Sequence, residues 1–254
     1  MHGKFFWYDV MTTDTAAAAR FYSEVVGWGL QSGGGAPGQD YTIFTVGAEG
    51  QAGLMPIPDA AKGSARPVWF SYILVDDVDL TAAAVEKAGG AIHRPPWDVP
   101  GVIRIAMVAD PQGASFMVAK PYPRQPRAEL APRTPGGFGW HELYTSDWQA
   151  AFAFYEQVFG WTKADAIDMG AHGTYQLFAV GGEPVGGMMS NPPQSPQAFW
   201  LLYVNVEAID AATERVKAGG GTILMGPHQV PGGDWIVQCT DPQGARFALT
   251  AATR

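Results

Sequence analysis

Two stretches of this 254-residue sequence decide its fold because they are copies of one another. Residues 7–14 read WYDVMTTD, and residues 140–147 read WHELYTSD. Each stretch is followed, at the same spacing, by a Phe-Tyr pair and then by a Gly-Trp pair. The two copies lie 133 residues apart (140 minus 7). A fixed period with landmarks in the same order indicates an internal duplication.

Further landmarks extend the duplication over most of the chain. The triplet Gly-Leu-Met at 53–55 matches Gly-Met-Met at 187–189, and the sequence DPQGA occurs at both 110–114 and 241–245. Between the copies, residues 121–137 contain five prolines and end in two glycines, a composition that favours an extended linker. We therefore predict one domain at 3–120, a linker at 121–137 and a second domain at 138–251.

In each copy, the sequence predicts two successive units. Each unit has a strand, then a helix, then three further strands. The opening strands, 5–12 and 138–145, run into Asp14 and Asp147, residue types that cap helix N-termini. Apolar residues then recur at helical spacing until a glycine ends each helix. The second strand–helix pair of each copy is predicted at 68–75 and 79–88 in the first copy, and at 199–206 and 210–218 in the second. Short strands are predicted near 91–93 and 222–225.

Composition limits the kinds of partner. A net charge of -8 without any cluster of basic residues argues against nucleic acid. The single cysteine, Cys239, excludes an intramolecular disulfide and multi-cysteine metal sites; a buried structural thiol is favoured over a reactive one. No segment approaches the ~20 apolar residues of a membrane span, and the first residues do not resemble a signal peptide. We expect no membrane association and a cytoplasmic location.

The repeated motifs resemble those of the vicinal-oxygen-chelate superfamily, which includes glyoxalases, bleomycin-resistance proteins and extradiol dioxygenases. The resemblance rests on the opening strand closed by Asp14, the Phe-Tyr and Gly-Trp pairs, the VDDVD sequence at 75–79 and the DPQG sequence at 110–113. It covers nearly the whole chain twice, and the tandem form is most similar to glyoxalase-like proteins of actinobacteria. The resemblance implies an α+β fold with two tandem domains, each built of two βαβββ units that form an incomplete barrel, or cup.

The resemblance also implies where divalent-metal ligands would lie. Three strand positions in each copy supply them in the superfamily, and in this sequence those positions carry Trp7, Phe70 and Met117, then Trp140, Leu201 and Ala248. None of these side chains binds a divalent ion such as zinc or iron. His141 lies next to a ligand position, so strand alternation points it to the helix side. We therefore predict no metal and no other cofactor.

Two acids remain on the inward faces predicted for the cups. Asp9 and Glu142 follow Trp7 and Trp140 by two residues, and Tyr72 and Tyr203 face inward by the same alternation. Burial among aromatic side chains would raise the pKa of a carboxyl group and suit it to acid–base catalysis. The alternative is that both acids only bond to a neighbouring arginine or backbone amide.

Differences between the copies predict that the second cup carries most of the function. Leu201 and Ala248 are smaller than Phe70 and Met117, so the second cup should be roomier. Asn205 and Arg246 would add polar groups to it. We expect the second domain to bind the ligand, with Trp140, Glu142 and Tyr203 on the wall.

Two classes of function fit these residues. The first is metal-independent acid–base chemistry on a small, partly apolar carbonyl or aromatic compound, catalysed by Asp9 or Glu142. The second is non-catalytic binding of a small aromatic molecule, as in a resistance protein; lactoylglutathione lyase activity is a third possibility suggested by the resemblance alone. The expected partner is a small molecule, and the chain is expected to be a monomer with a pseudo-twofold domain pair, or a weak homodimer.

Overall fold

The computed structural model of the protein describes residues 2–34, 41–123, 130–191 and 197–254. Residues 124–129 of the predicted linker lie outside these ranges. Within them the order β-α-β-β-β occurs four times. The elements of the first copy are β1 (Phe5–Thr12), α1 (Thr15–Val26), β2 (Gly29–Ser32), β3 (Thr42–Val46), β4 (Glu49–Pro56), β5 (Val68–Leu74), α2 (Val78–Lys87), β6 (Ala91–Val99), β7 (Ile103–Ala109) and β8 (Ser115–Pro121). Those of the second are β9 (Phe138–Thr145), α3 (Trp148–Phe159), β10 (Thr162–Asp168), β11 (Thr174–Val180), β12 (Glu183–Ser190), β13 (Phe199–Asn205), α4 (Ile209–Ala218), β14 (Thr222–Gln229), β15 (Trp235–Thr240) and β16 (Arg246–Ala251).

Each copy forms one open eight-stranded sheet. The strand order is β2-β3-β4-β1-β5-β8-β7-β6 in the first copy, and the second copy repeats it as β10-β11-β12-β9-β13-β16-β15-β14. β1 pairs with β4 and β5 with β8 in parallel, whereas β3/β4 and β7/β8 are antiparallel. This arrangement confirms the predicted α+β fold with two tandem sheet domains.

The first helix of each copy begins and ends as predicted. The Asp14 side chain accepts a hydrogen bond from the Ala17 amide, and Asp147 does the same for α3. Gly27 and Gly160 end these helices in the left-handed conformation, with φ of 87° and 70°, which glycine adopts without steric cost. No helix among the described residues is long and apolar enough to cross a membrane.

The sheet edges differ from the prediction. β2 and β10 were not predicted; β2 has only four residues, all exposed, so it lacks an apolar pattern. β6 is longer than predicted and contains Pro95 and Pro96, and β14 is also longer. Both β6 and β14 are last in their sheets, where a proline removes no hydrogen bond to a further strand.

The compact units of the structure do not coincide with the copies. The first unit consists of Met1–Phe6, Phe70–Pro126 and His141–Leu201. The second unit consists of the remaining residues, Trp7–Trp69, Arg127–Trp140 and Leu202–Arg254. Each unit therefore contains part of the first copy and part of the second.

A hydrogen-bonded chain joins the two copies inside the first unit. Trp200 Nε1 donates to the Tyr155 hydroxyl (3.1 Å), which donates to Asp110 Oδ2 (3.1 Å). Asp110 Oδ1 accepts from the backbone amides of Gln112 and Ala114 in its own turn. Tyr155 belongs to the second copy and Asp110 to the first, so the chain links a helix of one copy to the DPQGA turn of the other.

The second unit contains the same chain with the copies exchanged. Trp69 Nε1 donates to the Tyr22 hydroxyl (2.8 Å), and Tyr22 donates to Asp241 Oδ2 (2.9 Å). Burial raises the pKa of Asp241, and the hydrogen bonds from the amides of its turn and from Tyr22 oppose that rise. Burial also raises the pKa of Asp110, and hydrogen bonds from its own turn and from Tyr155 oppose that rise. The repeated Phe-Tyr and DPQGA motifs therefore serve the packing of the units.

We predict that Tyr155→Phe destabilises the protein by about 1–3 kcal/mol, because Trp200 and the buried carboxyl of Asp110 each lose a hydrogen-bond partner. Urea denaturation at neutral pH measures this. Tyr122→Phe is the matched control, because Tyr122 also donates to an aspartate but is exposed, and it should cost less than about 0.5 kcal/mol. Equal losses for the two variants would contradict the assignment.

Candidate functional site

The predicted acid of the first copy lies in a hydrogen-bonded cluster within the second unit. Asp9, on β1, is only 3% exposed. Its Oδ1 atom accepts from the Tyr41 hydroxyl (2.7 Å) and from Trp7 Nε1 (3.0 Å). Trp7 Nε1 also lies 2.9 Å from the Tyr41 oxygen. Two neutral donors thus bind one oxygen of the carboxyl group. Trp7 was predicted to share the inward face of Asp9, whereas Tyr41 was not predicted to lie there.

A glycine makes room for this cluster. Gly53 on β4 is the register partner of Asp9. A Cβ atom at position 53 would lie 1.9 Å from the Tyr41 hydroxyl oxygen and 2.2 Å from Asp9 Oδ1. Any larger residue would therefore displace Tyr41 or Asp9.

The second copy also places a tyrosine against the glycine that pairs with its acid, within the first unit. Glu142 is 6% exposed, and its register partner is Gly187. A Cβ atom at position 187 would lie 2.2 Å from Tyr175 Cζ. The Tyr175 ring therefore lies over the glycine beside Glu142. Trp140, two residues before Glu142 on β9, is half-buried and falls in the second unit.

The two tyrosines are functional candidates that the sequence analysis missed. Tyr41 and Tyr175 are 134 residues apart (175 minus 41), as are Gly53 and Gly187 (187 minus 53). This shared offset was the available signal. Burial raises the pKa of Tyr41 above its ordinary value, and the negative charge of Asp9 adds to the rise. Tyr41 therefore keeps its proton at neutral pH.

Four of the predicted ligand-binding residues are buried in the first unit. They share apolar or aromatic side chains on inner strands of the sheets. Tyr72 and Met117 are register partners on β5 and β8. The four are Phe70, Tyr72, Met117 and Leu201.

Three others lie in the second unit. Tyr203 and Ala248 are register partners, and both are buried. The Tyr203 hydroxyl accepts from Gln238 Nε2 (2.9 Å). Arg246, predicted to face inward, is exposed at the start of β16.

Asn205, the remaining predicted residue, lines a cavity of about 140 Å³ in the second unit. Arg133 and Asp234, which form an ion pair at 3.0 Å, also line it. Tyr203 and Arg246 do not contribute to this lining. The structure therefore groups Asn205 with charged residues that the sequence analysis had not selected.

His141 lies in the aromatic core of the first unit. It is buried, stacks on Phe5 with ring centroids 3.8 Å apart, and its Nδ1 lies 2.9 Å from the Val185 carbonyl oxygen. Burial lowers its pKa to about 4. Cys239 is buried as expected, and burial raises the pKa of its thiol to about 12.

These features define a chain of two βαβββ-βαβββ copies with an acid on each opening strand, and comparison with known proteins agrees with the fold. The model of the Glyoxalase/Bleomycin resistance protein/Dioxygenase superfamily matches residues 4–118 and 137–249. The chain belongs to this superfamily.

Several known proteins are similar over nearly the full length. The chain is 33% identical to a Mycobacterium bovis protein named putative glyoxylase CFP32, covering 96% of this chain and 92% of that protein. It is 31% identical to the anthracycline biosynthesis protein DnrV of Streptomyces peucetius, covering 96% and 91%. The Mn(II)-bound glyoxalase from Novosphingobium aromaticivorans shares the fold, with a TM-score of 0.69, 18% identity, and coverage of 100% of this chain and 83% of that one.

The residues of this chain do not fit the divalent metal that the superfamily resemblance implies. The positions that the resemblance assigns to metal ligands carry Trp7, Phe70 and Met117 in the first copy, and aromatic or aliphatic residues again in the second. Among the described residues, no three His, Cys, Asp or Glu side chains are grouped so that they could hold a metal ion. Among these residues, neither Asp9 nor Glu142 belongs to a group of three such side chains.

We predict that the purified protein holds no stoichiometric divalent metal after dialysis. Elemental analysis by mass spectrometry measures this, and dialysis against zinc, manganese and iron salts beforehand tests each ion. One tightly held ion per copy would show that the ligand positions are misplaced.

We also predict that His141 makes the stability of the protein sensitive to acid. Its pKa is depressed in the folded state, so its contribution is fully present above the ordinary value of 6.5 and is lost as the pH falls toward about 4. This pKa shift corresponds to a loss of about 3 kcal/mol in the free energy of unfolding as the pH falls through that range. Urea denaturation between pH 7 and 4 should show a steeper loss for the native protein than for His141→Phe, which keeps a ring against Phe5.

The exposed His93 supplies the control, since His93→Gln should follow the native pH profile. A native profile that parallels that of His141→Phe would contradict the prediction.

Proposed function

We propose that this protein binds a small, partly apolar carbonyl or aromatic compound and moves a proton on it without a divalent metal. Asp9 and Glu142 are the proposed acid–base groups, one in each copy. The observation that carries the proposal is the Asp9 cluster, in which a nearly buried carboxyl group is held by Trp7 and Tyr41 on a strand where the superfamily places a metal ligand.

The surroundings of Asp9 suit acid–base work. Two hydrogen bonds to its carboxyl group come from neutral donors, Tyr41 and Trp7. Neutral donors fix the carboxyl group without cancelling its charge, which leaves it able to take up a proton. The aromatic faces of the same two residues suit a flat, partly apolar compound.

Names of relatives support the same substrate class. One is named for anthracycline biosynthesis, and anthracyclines are aromatic. Another is named as a putative glyoxylase, an activity on carbonyl compounds.

Proton exchange in 2-tetralone tests the proposal without knowledge of the natural substrate. This flat ketone has acidic hydrogens next to its carbonyl group, and their replacement by deuterium in D2O is followed by NMR. The native protein should accelerate exchange over buffer. Asp9→Asn and Glu142→Gln should each reduce it, and the double variant should lower it by about 100-fold or more, to the level of buffer.

Two exposed acids provide matched controls. Asp165→Asn and Glu156→Gln remove the same charges at exposed positions and should leave the exchange rate unchanged. Saturable binding of 2-tetralone with no acceleration would favour a sequestering protein instead. Acceleration that persists in the double variant would show that the two acids are not the acid–base groups.

A further inference from the structure

We propose that Tyr41, rather than Asp9 itself, contacts the ligand, and that it selects a ligand hydroxyl group that donates a hydrogen bond. This inference rests on the proposed function, because it concerns the same site. It adds the residue that meets the ligand and the chemical feature that this residue recognises.

The order of exposure places Tyr41 between solvent and the acid. Asp9 is 3% exposed, whereas Tyr41 and Trp7 are half-buried. A molecule arriving from solvent therefore meets these two side chains before the carboxyl group. Asp9 can act on such a molecule only through Tyr41 or after Tyr41 moves.

The hydrogen-bond directions determine what Tyr41 offers. Its hydroxyl hydrogen is directed at Asp9 Oδ1 over 2.7 Å, and its oxygen already lies 2.9 Å from the Trp7 Nε1 donor. A phenolic hydroxyl has a single hydrogen, so the Tyr41 oxygen acts only as an acceptor toward any further group. A ligand hydroxyl can donate to it, whereas an ether oxygen at the same place would face another acceptor and lose its own hydration.

The same geometry gives a balanced route for the proton. When the ligand O–H bond breaks, its proton passes to the Tyr41 oxygen while the hydrogen of Tyr41 passes to Asp9 Oδ1. Tyr41 ends unchanged, Asp9 becomes neutral, and the negative charge moves to the ligand oxygen. No oxidant, reductant or metal takes part.

The second copy also has a tyrosine against the glycine that pairs with its acid. Tyr175 is half-buried and lies over Gly187, the register partner of the nearly buried Glu142. A glycine and a tyrosine are therefore common to both copies, whereas the acid is Asp9 in one and Glu142 in the other.

A pair of matched probes tests this inference on the full-length protein. 2-Naphthol carries a hydroxyl group and resembles the enol of 2-tetralone, and 2-methoxynaphthalene carries a methyl ether on the same ring system. Equilibrium dialysis at pH 7 should show that the native protein binds 2-naphthol about tenfold more tightly, as one hydrogen bond allows. In Tyr41→Phe with Tyr175→Phe, the preference should fall to about one while the ether remains bound.

Two further variants separate selection from structural support. Asp9→Asn keeps an oxygen for the Trp7 and Tyr41 donors, which share one acceptor atom in the native protein, so the preference for 2-naphthol should persist although position 9 can no longer take up a proton. Gly53→Ala keeps Tyr41 but displaces its hydroxyl, and it should reduce the preference. Tyr122→Phe, at an exposed position, should behave as the native protein.

The outcomes distinguish this inference from the proposed function. If neither naphthalene binds and 2-tetralone exchange is not accelerated, the proposed function fails and this inference fails with it. If exchange depends on Asp9 and Glu142 but the double tyrosine variant keeps the full preference for 2-naphthol, this inference alone is wrong. Equal loss of both probes in that variant would also overturn it, because the tyrosines would then only support the structure.

Discussion

The hydrogen bond between a helix tyrosine and a turn aspartate is the interaction on which each compact unit depends. In the first unit Tyr155 reaches Asp110, and in the second Tyr22 reaches Asp241. Each pair joins residues from different copies. Because the carboxyl groups are nearly buried, they need the turn amides and the tyrosine to offset the cost of leaving water. The tyrosine in turn accepts from a tryptophan, so removing one member leaves the others unsatisfied.

The residues that make these hydrogen bonds and the residues proposed for chemistry occupy different positions in the sequence. Phe-Tyr and DPQGA are the most obvious repeats, yet their side chains serve the cores of the units. The acids of the candidate site differ between the copies, with Asp9 in one and Glu142 in the other. A repeated motif here marks what both units need for packing, and the difference between the acids lies at the proposed acid–base positions.

Much of the fold could be predicted because its signals are local. Asp14 before an apolar helical pattern, and Gly27 after it, define α1 without reference to the rest of the chain. β2 was missed because an exposed edge strand carries no apolar alternation, and the length of β6 was underestimated because proline usually argues against a strand. The compact units could not be predicted, because the residue pattern of one copy does not indicate which residues of the other copy it contacts.

The candidate site was predicted only in part for a similar reason. Strand alternation placed Asp9 and Trp7 on one face, and the structure brings them together. Tyr41 lies just before β3, which is separated from β1 by β4, so its approach to Asp9 depends on strand pairing that a single sequence does not display. Gly53, the register partner of Asp9, was noted only as a repeat landmark. Because glycine has no side chain, this position provides the space for Tyr41.

The two kinds of contact leave the copies with different degrees of independence. Tyr22 of the first copy bonds to Asp241 of the second, so a substitution at either residue removes a contact from both copies. Asp9, Tyr41 and Gly53 all belong to the first copy, and Glu142, Tyr175 and Gly187 all belong to the second. In a duplicated chain of this kind, the two sites can therefore change independently and bind different compounds, whereas the packing residues of the two copies must remain compatible with each other.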